Sequence, residues 1–198
     1  MSDHIRVWET PAGVPLCTVE TITEPGARNF VLQIHDAWFH GFVVRKNGQV
    51  HGYVDRCPHA GLPLAQELDR YLTRDGTLIQ CSWHGALFKI EDGDCLGGPC
   101  AGARLKPWPV EIKDGMIVTA KNEDLAEQVR WLEQQAEAAY DRMYDASDAT
   151  TAAACYSDAK EYLTDAIILA RKRSDDATMT RLEARRDHIK SVFRSQFS

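Results

Sequence analysis

Two short segments, each with one cysteine and one histidine, constrain this 198-residue chain more than any other feature. The first, DRCPHAGLPL, places Cys57 two residues before His59, and the second, QCSWHGALF, places Cys81 three residues before His84. Twenty-one residues separate the two pairs, so the motif reads C-x-H…C-x-x-H. Grouped thiols and imidazoles in a chain without a secretion signal are typical of a metal site rather than of disulfides.

Two kinds of metal site use two cysteines and two histidines. A structural zinc ion binds them in a tetrahedron, but zinc fingers usually pair Cys with Cys and His with His. Here each segment supplies one of each, which suits a two-iron cluster with two thiolates on one iron and two imidazoles on the other. Gly61 and Gly85 follow the pairs. Glycine lets the backbone approach a bulky inorganic group and point its amides at it.

Residues 1 to about 120 have the pattern of a β-rich domain. Seven runs are rich in branched and aromatic residues: FVLQI, FHGFVV, VHGYV, TLIQC, ALFKI, VEI and MIVTA. Among them recur pairs that are strong hairpin signals: Asn47-Gly48, Asp75-Gly76, Asp92-Gly93 and Asp114-Gly115. This spacing predicts a compact antiparallel sandwich or barrel.

Residues 121–198 contain neither glycine nor proline and have a helical pattern. A first helix, with Asn122 as a candidate cap, carries apolar residues at alternating spacings of four and three, which predicts one buried seam: Leu125, Val129, Leu132, Ala136, Ala139 and Met143. A second helix is predicted over about 156–172, and a third after a cap at Ser174 or Asp175. Short connections favour an antiparallel unit of two to three helices.

Over about residues 5–120 the sequence resembles the Rieske iron–sulfur family. Both ligand pairs, both glycines and a following GGPC turn occur in the family's order. The resemblance implies one [2Fe–2S] cluster per chain, with Cys57 and Cys81 on the inner iron and His59 and His84 on the outer, exposed iron. It also implies an α+β chain, in which an all-β Rieske domain with a cluster-binding subdomain (1–120) precedes the helical extension (121–198). That extension matches nothing in the resemblance.

The resemblance further implies which residues surround the cluster: Gly61, Leu62, Trp83, Gly85, Ala86, Phe88 and Pro99. Pro99 matches the proline-bearing third loop that covers the cluster in the family. Trp83 could shape a docking face, contribute to an electron path or keep water off the cluster. Cys95 and Cys100 could be redox partners or cluster neighbours, but small side chains packed in a tight turn are the more common explanation.

Differences from the respiratory Rieske proteins indicate a ferredoxin. Those proteins carry a disulfide at the positions of Leu62 and Trp83, and hydroxyl donors to the cluster sulfurs at the positions of Ala86 and Phe88. A hydrogen bond to a charged group is worth about 1.5–3 kcal/mol, so losing two donors predicts a low reduction potential. Ring-hydroxylating oxygenase subunits add a mononuclear iron site built from two histidines and a carboxylate. Beyond residue 120 the only histidine is His188, so we expect no such site.

These features predict a one-electron carrier between a reductase and a terminal oxidoreductase such as an oxygenase, which transforms no substrate alone. The alternative is a redox-sensing regulatory or scaffolding subunit whose helical tail holds a partner. The net charge of −6 argues against nucleic acid as a partner. No stretch approaches the roughly 20 apolar residues of a membrane span, and MSDHIRVWET is no secretion signal, so a cytoplasmic location is expected. Residues 121–198 could also form a homo-oligomer.

Overall fold

The computed structural model describes residues 10–34, 36–121 and 125–197. The chain divides into two compact units, Met1–Asn122 and Glu123–Ser198. Strands occupy the first unit and three helices occupy the second. The predicted α+β fold class is therefore confirmed. The candidate cap Asn122 lies outside the described residues.

Nine strands form three antiparallel sheets of three strands each in the described part of the first unit. They are β1 (Pro15–Thr18), β2 (Gly26–Ile34), β3 (Ala37–Lys46), β4 (Gln49–Val54), β5 (Ile79–Gln80), β6 (Leu87–Phe88), β7 (Cys95–Gly97), β8 (Val110–Lys113) and β9 (Met116–Thr119). The sheet orders are β1-β9-β8, β2-β3-β4 and β5-β6-β7. The loop around Cys81 connects β5 to β6 in the third sheet, and the loop around Cys57 follows β4 of the second sheet.

All seven predicted runs contain strands, and the hairpin signals act as expected. Asn47 and Gly48 both have positive φ, as a two-residue type I′ turn between β3 and β4 requires. Asp114 and Gly115 repeat this geometry between β8 and β9. The strands that the sequence did not reveal are β1 and β7. Both are short, and neither has the run of branched residues that marks the others.

The central strand β3 is buried on both faces. Phe42 and Val44 belong to a hydrophobic cluster that also contains β5 and β6 residues. Phe39 and Val43 point the other way, into a second cluster with Trp108 and with residues of β1 and β9. Because successive strand side chains point to opposite faces, β3 separates the core beneath the candidate metal site from the core of the sandwich.

The second unit is a bundle of α1 (Leu125–Tyr144), α2 (Ala149–Lys172) and α3 (Asp176–Gln196). The predicted seam of α1 faces the core that α1 shares with α2 and α3. α2 begins earlier than predicted because the carboxylate of Asp148 accepts a hydrogen bond from the amide of Thr151 and caps it. Asp175 caps α3, as expected. In the described part of the chain, no helix is long and apolar enough to cross a membrane.

Candidate metal centre

The two Cys/His segments fold into loops with the same backbone hydrogen bonds. In each loop the cysteine amide donates to the carbonyl five residues later, at 2.8 Å from Cys57 and 2.9 Å from Cys81. The glycine four residues after the cysteine donates back to the cysteine carbonyl, at 2.8 Å for Gly61 and 3.0 Å for Gly85. Both glycines have positive φ, +67° and +71°, in the left-handed region that other residues rarely adopt.

Each loop wraps its amides around its own cysteine sulfur. The amides two and three residues after Cys57 donate to its sulfur, and the same two positions after Cys81 do the same. Such a concave set of N–H groups stabilises negative charge and so opposes the rise in thiol pKa that burial causes at both cysteines. The turn that glycine permits thus places donors that favour the thiolate, the form that binds metal, at each sulfur.

Three thiols meet in the interior between the loops. Cys57, Cys81 and Cys100 are 2%, 1% and 1% exposed. The sulfur of Cys57 accepts hydrogen bonds from the thiols of Cys100 and Cys81. The pKa of Cys57 is lowered to about 6, mainly by the hydrogen bond from Cys100 and further by the loop amides. Burial raises the pKa of Cys81. The interior side of the site therefore offers two sulfurs held side by side, with a third thiol against one of them.

The two imidazoles lie together at the edge of the same site. The ring centroids of His59 and His84 are 4.8 Å apart, and the rings are nearly perpendicular. His84 is exposed, and His59 is half-buried with its Nδ1 atom inside. The four side chains are therefore arranged as a buried sulfur pair and a surface imidazole pair. The order of residues along the chain does not show this separation.

A half-buried carboxylate clamps the first loop at both ends. Asp55 precedes Cys57 by two residues, and its carboxylate accepts hydrogen bonds from the amide of Leu64 (2.8 Å) and from the hydroxyl of Tyr71 (2.9 Å). Burial raises the pKa of Asp55. The ring of Tyr71 stacks on Phe42, with centroids 4.1 Å apart. The clamp thus ties the metal loop to the central strand β3.

Tyr71 departs from what its local sequence predicts. The segment AQELDRYLTRDG holds extra length between the two ligand pairs, which predicts a surface excursion, and residues 66–70 are indeed exposed. Tyr71, however, is only 2% exposed and belongs to the core. The available signal was an aromatic residue at the end of an otherwise polar run.

We predict that Tyr71→Phe will lower the free energy of unfolding by about 1.5–3 kcal/mol, the usual worth of a hydrogen bond to a charged group. The phenylalanine ring retains the stacking on Phe42, so the loss reports the hydroxyl alone. Urea unfolding of the two chains measures it. Tyr53→Phe is the matched control, because the Tyr53 hydroxyl donates to a neutral carbonyl, that of Ile90, at 2.7 Å. That loss should be smaller, about 0.5–1.5 kcal/mol. Equal losses would contradict the role of Asp55.

The third loop, which is the GGPC turn at 97–100, packs directly against the second loop, around Cys81. A Cβ atom on Gly98 would lie 2.8 Å from the Cα of Ala86, so the two backbones leave no room for a side chain there. Ala86 is fully buried, and its carbonyl closes the second loop. Pro99 is exposed, whereas the next residue, Cys100, points inward to Cys57. The sequence left open whether Cys100 is a cluster neighbour or a small packed side chain, and in the structure its thiol contacts Cys57.

The other positions expected around the cluster divide between surface and core. Leu62 and Trp83 are 38% and 45% exposed. The indole N–H of Trp83 donates to the carbonyl of Pro63 at 2.8 Å, which joins the second loop to the first. Phe88 is fully buried in the core beneath the loops. The tryptophan therefore braces the two loops and also leaves an apolar surface beside His84.

The match to a family model defines the class of protein. The Rieske [2Fe-2S] domain model matches residues 14–114, just over half of the chain, and the chain belongs to this family. The cofactor of this domain is a [2Fe–2S] cluster, as the resemblance implied. The donor set fits it, because a buried pair of sulfurs and a surface pair of imidazoles offer two ligands to each of two irons. The amides around each sulfur suit a cluster whose sulfurs carry negative charge.

Similar proteins include two bacterial ferredoxins and one larger protein. The chain is 32% identical to human "Apoptosis-inducing factor 3" over 50% of this chain and 15% of that protein. It is 32% identical to the ferredoxin component of the p-cumate 2,3-dioxygenase system of Pseudomonas putida, over 36% of this chain and 56% of that protein. It is 31% identical to Ferredoxin CarAc of Metapseudomonas resinovorans, over 39% of this chain and 67% of that protein. The chain thus covers less than two thirds of the length of Apoptosis-inducing factor 3 and of the P. putida ferredoxin component.

Among solved structures, the Sphingomonas yanoikuyae B1 ferredoxin is 25% identical, with 55% of this chain and 97% of that chain covered and a TM-score of 0.42. The family match lies in the β-rich part of the chain, since it ends before α1 begins.

Proposed function

We propose that this chain is a one-electron carrier whose cluster is held by Cys57 and Cys81 on the inner iron and by His59 and His84 on the outer iron. The observation that supports this most is the pair of adjacent imidazoles, of which His84 is exposed, together with the pair of buried cysteine sulfurs. The protein chain encloses one end of such a cluster and leaves the other end open to a partner.

In this proposal the cluster accepts and releases the electron, and the protein residues control its surroundings. Burial keeps solvent from both cysteine sulfurs, and the loop amides stabilise their negative charge. Two thiolates bring the oxidised cluster to zero net charge, whereas four would leave it doubly negative, so imidazole ligation makes reduction easier. The exposed His84 gives the electron its shortest way out, and Trp83 and Leu62 provide apolar surface beside it for a partner.

The partners in this proposal are a reductase as donor and a terminal oxidoreductase, such as an oxygenase, as acceptor. The support is the P. putida relative, which is named as the ferredoxin component of a dioxygenase system. The chain itself would transform no substrate. A cytoplasmic location is part of the proposal, because all six cysteines are free thiols and thiols persist in reducing compartments.

We expect a reduction potential near −150 mV, the lower end of the Rieske range. Ala86 and Phe88 offer no hydroxyl to the cluster sulfurs, and the S–H of Cys100, which contacts Cys57, is only a weak donor. Ala86→Ser should raise the potential by about 60–130 mV if its hydroxyl reaches a sulfide. Voltammetry on both chains measures this. A parent potential above about +100 mV, high in the same range, would contradict the argument.

The scaffolding alternative rests on the helical unit, for which we propose the boundaries 121–198 after a Rieske domain at 1–120. Tyr144 and Ile168 are 49% and 42% exposed there, which favours a contact with a partner or with a second copy of the chain. Stopped-flow mixing of the reduced chain with a candidate oxygenase distinguishes the two functions. A carrier exchanges its electron rapidly and forms only a transient complex. A stable complex through the helices with no electron exchange would favour the scaffold.

A further inference from the structure

Cys95, at the start of β7, and Cys100, in the third loop, face each other. Neither is a proposed ligand. The sulfur of Cys95 lies 3.3 Å from that of Cys100. Backbone hydrogen bonds fix both ends of the turn, from Cys95 N to the Ala103 carbonyl (2.9 Å) and from Ala103 N to the Cys100 carbonyl (3.0 Å). The pair is therefore held in place by the fold and is not a chance approach of mobile side chains.

We propose that Cys95 and Cys100 form a reversible disulfide, which makes the third loop a thiol–disulfide modification site. An S–S bond is about 2.05 Å long, so the two sulfurs must approach by roughly 1.3 Å. Gly97 and Gly98 lie between the cysteines, and their freedom in φ and ψ allows the turn to adjust. Two cysteines five residues apart close only a small loop.

The chemistry requires a disulfide oxidant, and a low-molecular-weight disulfide such as oxidised glutathione is sufficient. Cys95 is half-exposed, whereas Cys100 is buried, so the exchange begins at Cys95. Its thiolate attacks one sulfur of the oxidant, forms a mixed disulfide and releases one small thiol. The thiolate of Cys100 then attacks the Cys95 sulfur and releases the second. Each cysteine gives up one proton, and the pair transfers two electrons to the oxidant, with none from the cluster.

Closing this disulfide changes what surrounds Cys57. The Cys100 thiol donates its hydrogen to the Cys57 sulfur in the reduced loop, and a disulfide sulfur has no hydrogen to donate. Oxidation therefore removes a donor from the cluster sulfur and lowers the reduction potential. This consequence rests on the proposed role of Cys57 as a ligand, whereas formation of the disulfide does not.

The test incubates the full cluster-bound chain with excess oxidised glutathione while the visible absorbance of the cluster is followed. Free thiols are then alkylated, and the masses of the unreduced tryptic peptides are measured by mass spectrometry. Cys95 and Cys100 share one peptide, that between Lys89 and Arg104. We expect this peptide to become two hydrogens lighter and to escape alkylation, with the cluster retained. The Cys17→Ser and Cys155→Ser chains should give the same result.

The single variants follow the order of the two steps. Cys100→Ser should accumulate a glutathione adduct on Cys95, and Cys95→Ser should give neither adduct nor disulfide. An adduct that persists on Cys95 in the parent chain, full alkylation of the peptide, or a disulfide to Cys57 or Cys81 would each overturn the proposal. Iron content is measured in parallel. A chain without iron that still forms the disulfide would contradict the proposed carrier function and leave this site standing.

Discussion

Replacing Cys81 with alanine will leave the purified chain with almost no iron and almost no acid-labile sulfide. Cys81 lies in the interior, and the backbone amides around it are directed at its sulfur. In the proposed ligand set the inner iron then loses one of its two protein anchors, and the amides of the second loop lose the charge they would stabilise. Because metal binding contributes to folding free energy, the loop itself should also become less stable.

The same assay separates ligands from neighbours. Cys57→Ala, His59→Ala and His84→Ala should also lose the cluster. Iron and sulfide analysis, together with the electron paramagnetic resonance spectrum of the reduced protein, measures the result. Cys155→Ala, in the helical unit, is the control and should retain the full content.

Cys100→Ala should also retain the cluster, since its thiol contacts a proposed ligand without being one. Loss of the cluster in Cys100→Ala alone would show that the third loop supplies a ligand. A colourless parent chain with one zinc ion would refute the two-iron cluster, because the same four residues could hold zinc.

Leu163→Ala will lower the stability of the helical unit by about 2–5 kcal/mol, the range for truncating a buried leucine. Leu163 is fully buried on α2, in the core that all three helices share. Removing its side chain leaves a cavity that the bundle can fill only partly. Urea unfolding followed by far-ultraviolet circular dichroism measures the loss.

Ile168→Ala is the matched control, because Ile168 lies on the same helix and is 42% exposed. It should cost much less than Leu163→Ala, since surface substitutions usually change stability by about 0.5 kcal/mol or less. A comparable loss in the two variants would indicate that Ile168 is covered, for example by a second copy of the chain. Cluster absorbance should be the same in both, because all four proposed ligands precede residue 85.

Local signals explain how much of the fold the sequence predicted. Asn-Gly and Asp-Gly pairs force positive φ at the turn, so the hairpins and their seven runs were found. β7 was not found, because CLG is three residues long and its pairing with β6 is set by tertiary contact. The early start of α2 depends on Asp148, one of several acidic residues there, and its alanine-rich first turns lack an apolar stripe.

The candidate site divides in the same way. The Cys/His spacing predicted the two loops and the four proposed ligands, and in the structure the two imidazoles pair with each other and the two thiols with each other. It could not reveal that Asp55 clamps the first loop to Tyr71, because their 16-residue separation is bridged only in three dimensions. Nor could it show that Cys100 meets Cys57, since the 42 intervening residues include three strands and their turns. Contacts across such distances depend on packing, which has no local pattern.

Strand β3, with hydrophobic cores on both of its faces, affects how the cofactor can be installed. Losing the iron and sulfide loosens only the side that holds the cysteine loops, while Phe39 and Val43 stay anchored against Trp108 on the other side. The apoprotein thus retains a folded sandwich with its β2-β3-β4 sheet intact, and amide hydrogens of β3 should exchange slowly even there. We therefore expect that the cluster can be inserted into an already folded apoprotein, so that the chain need not fold around it.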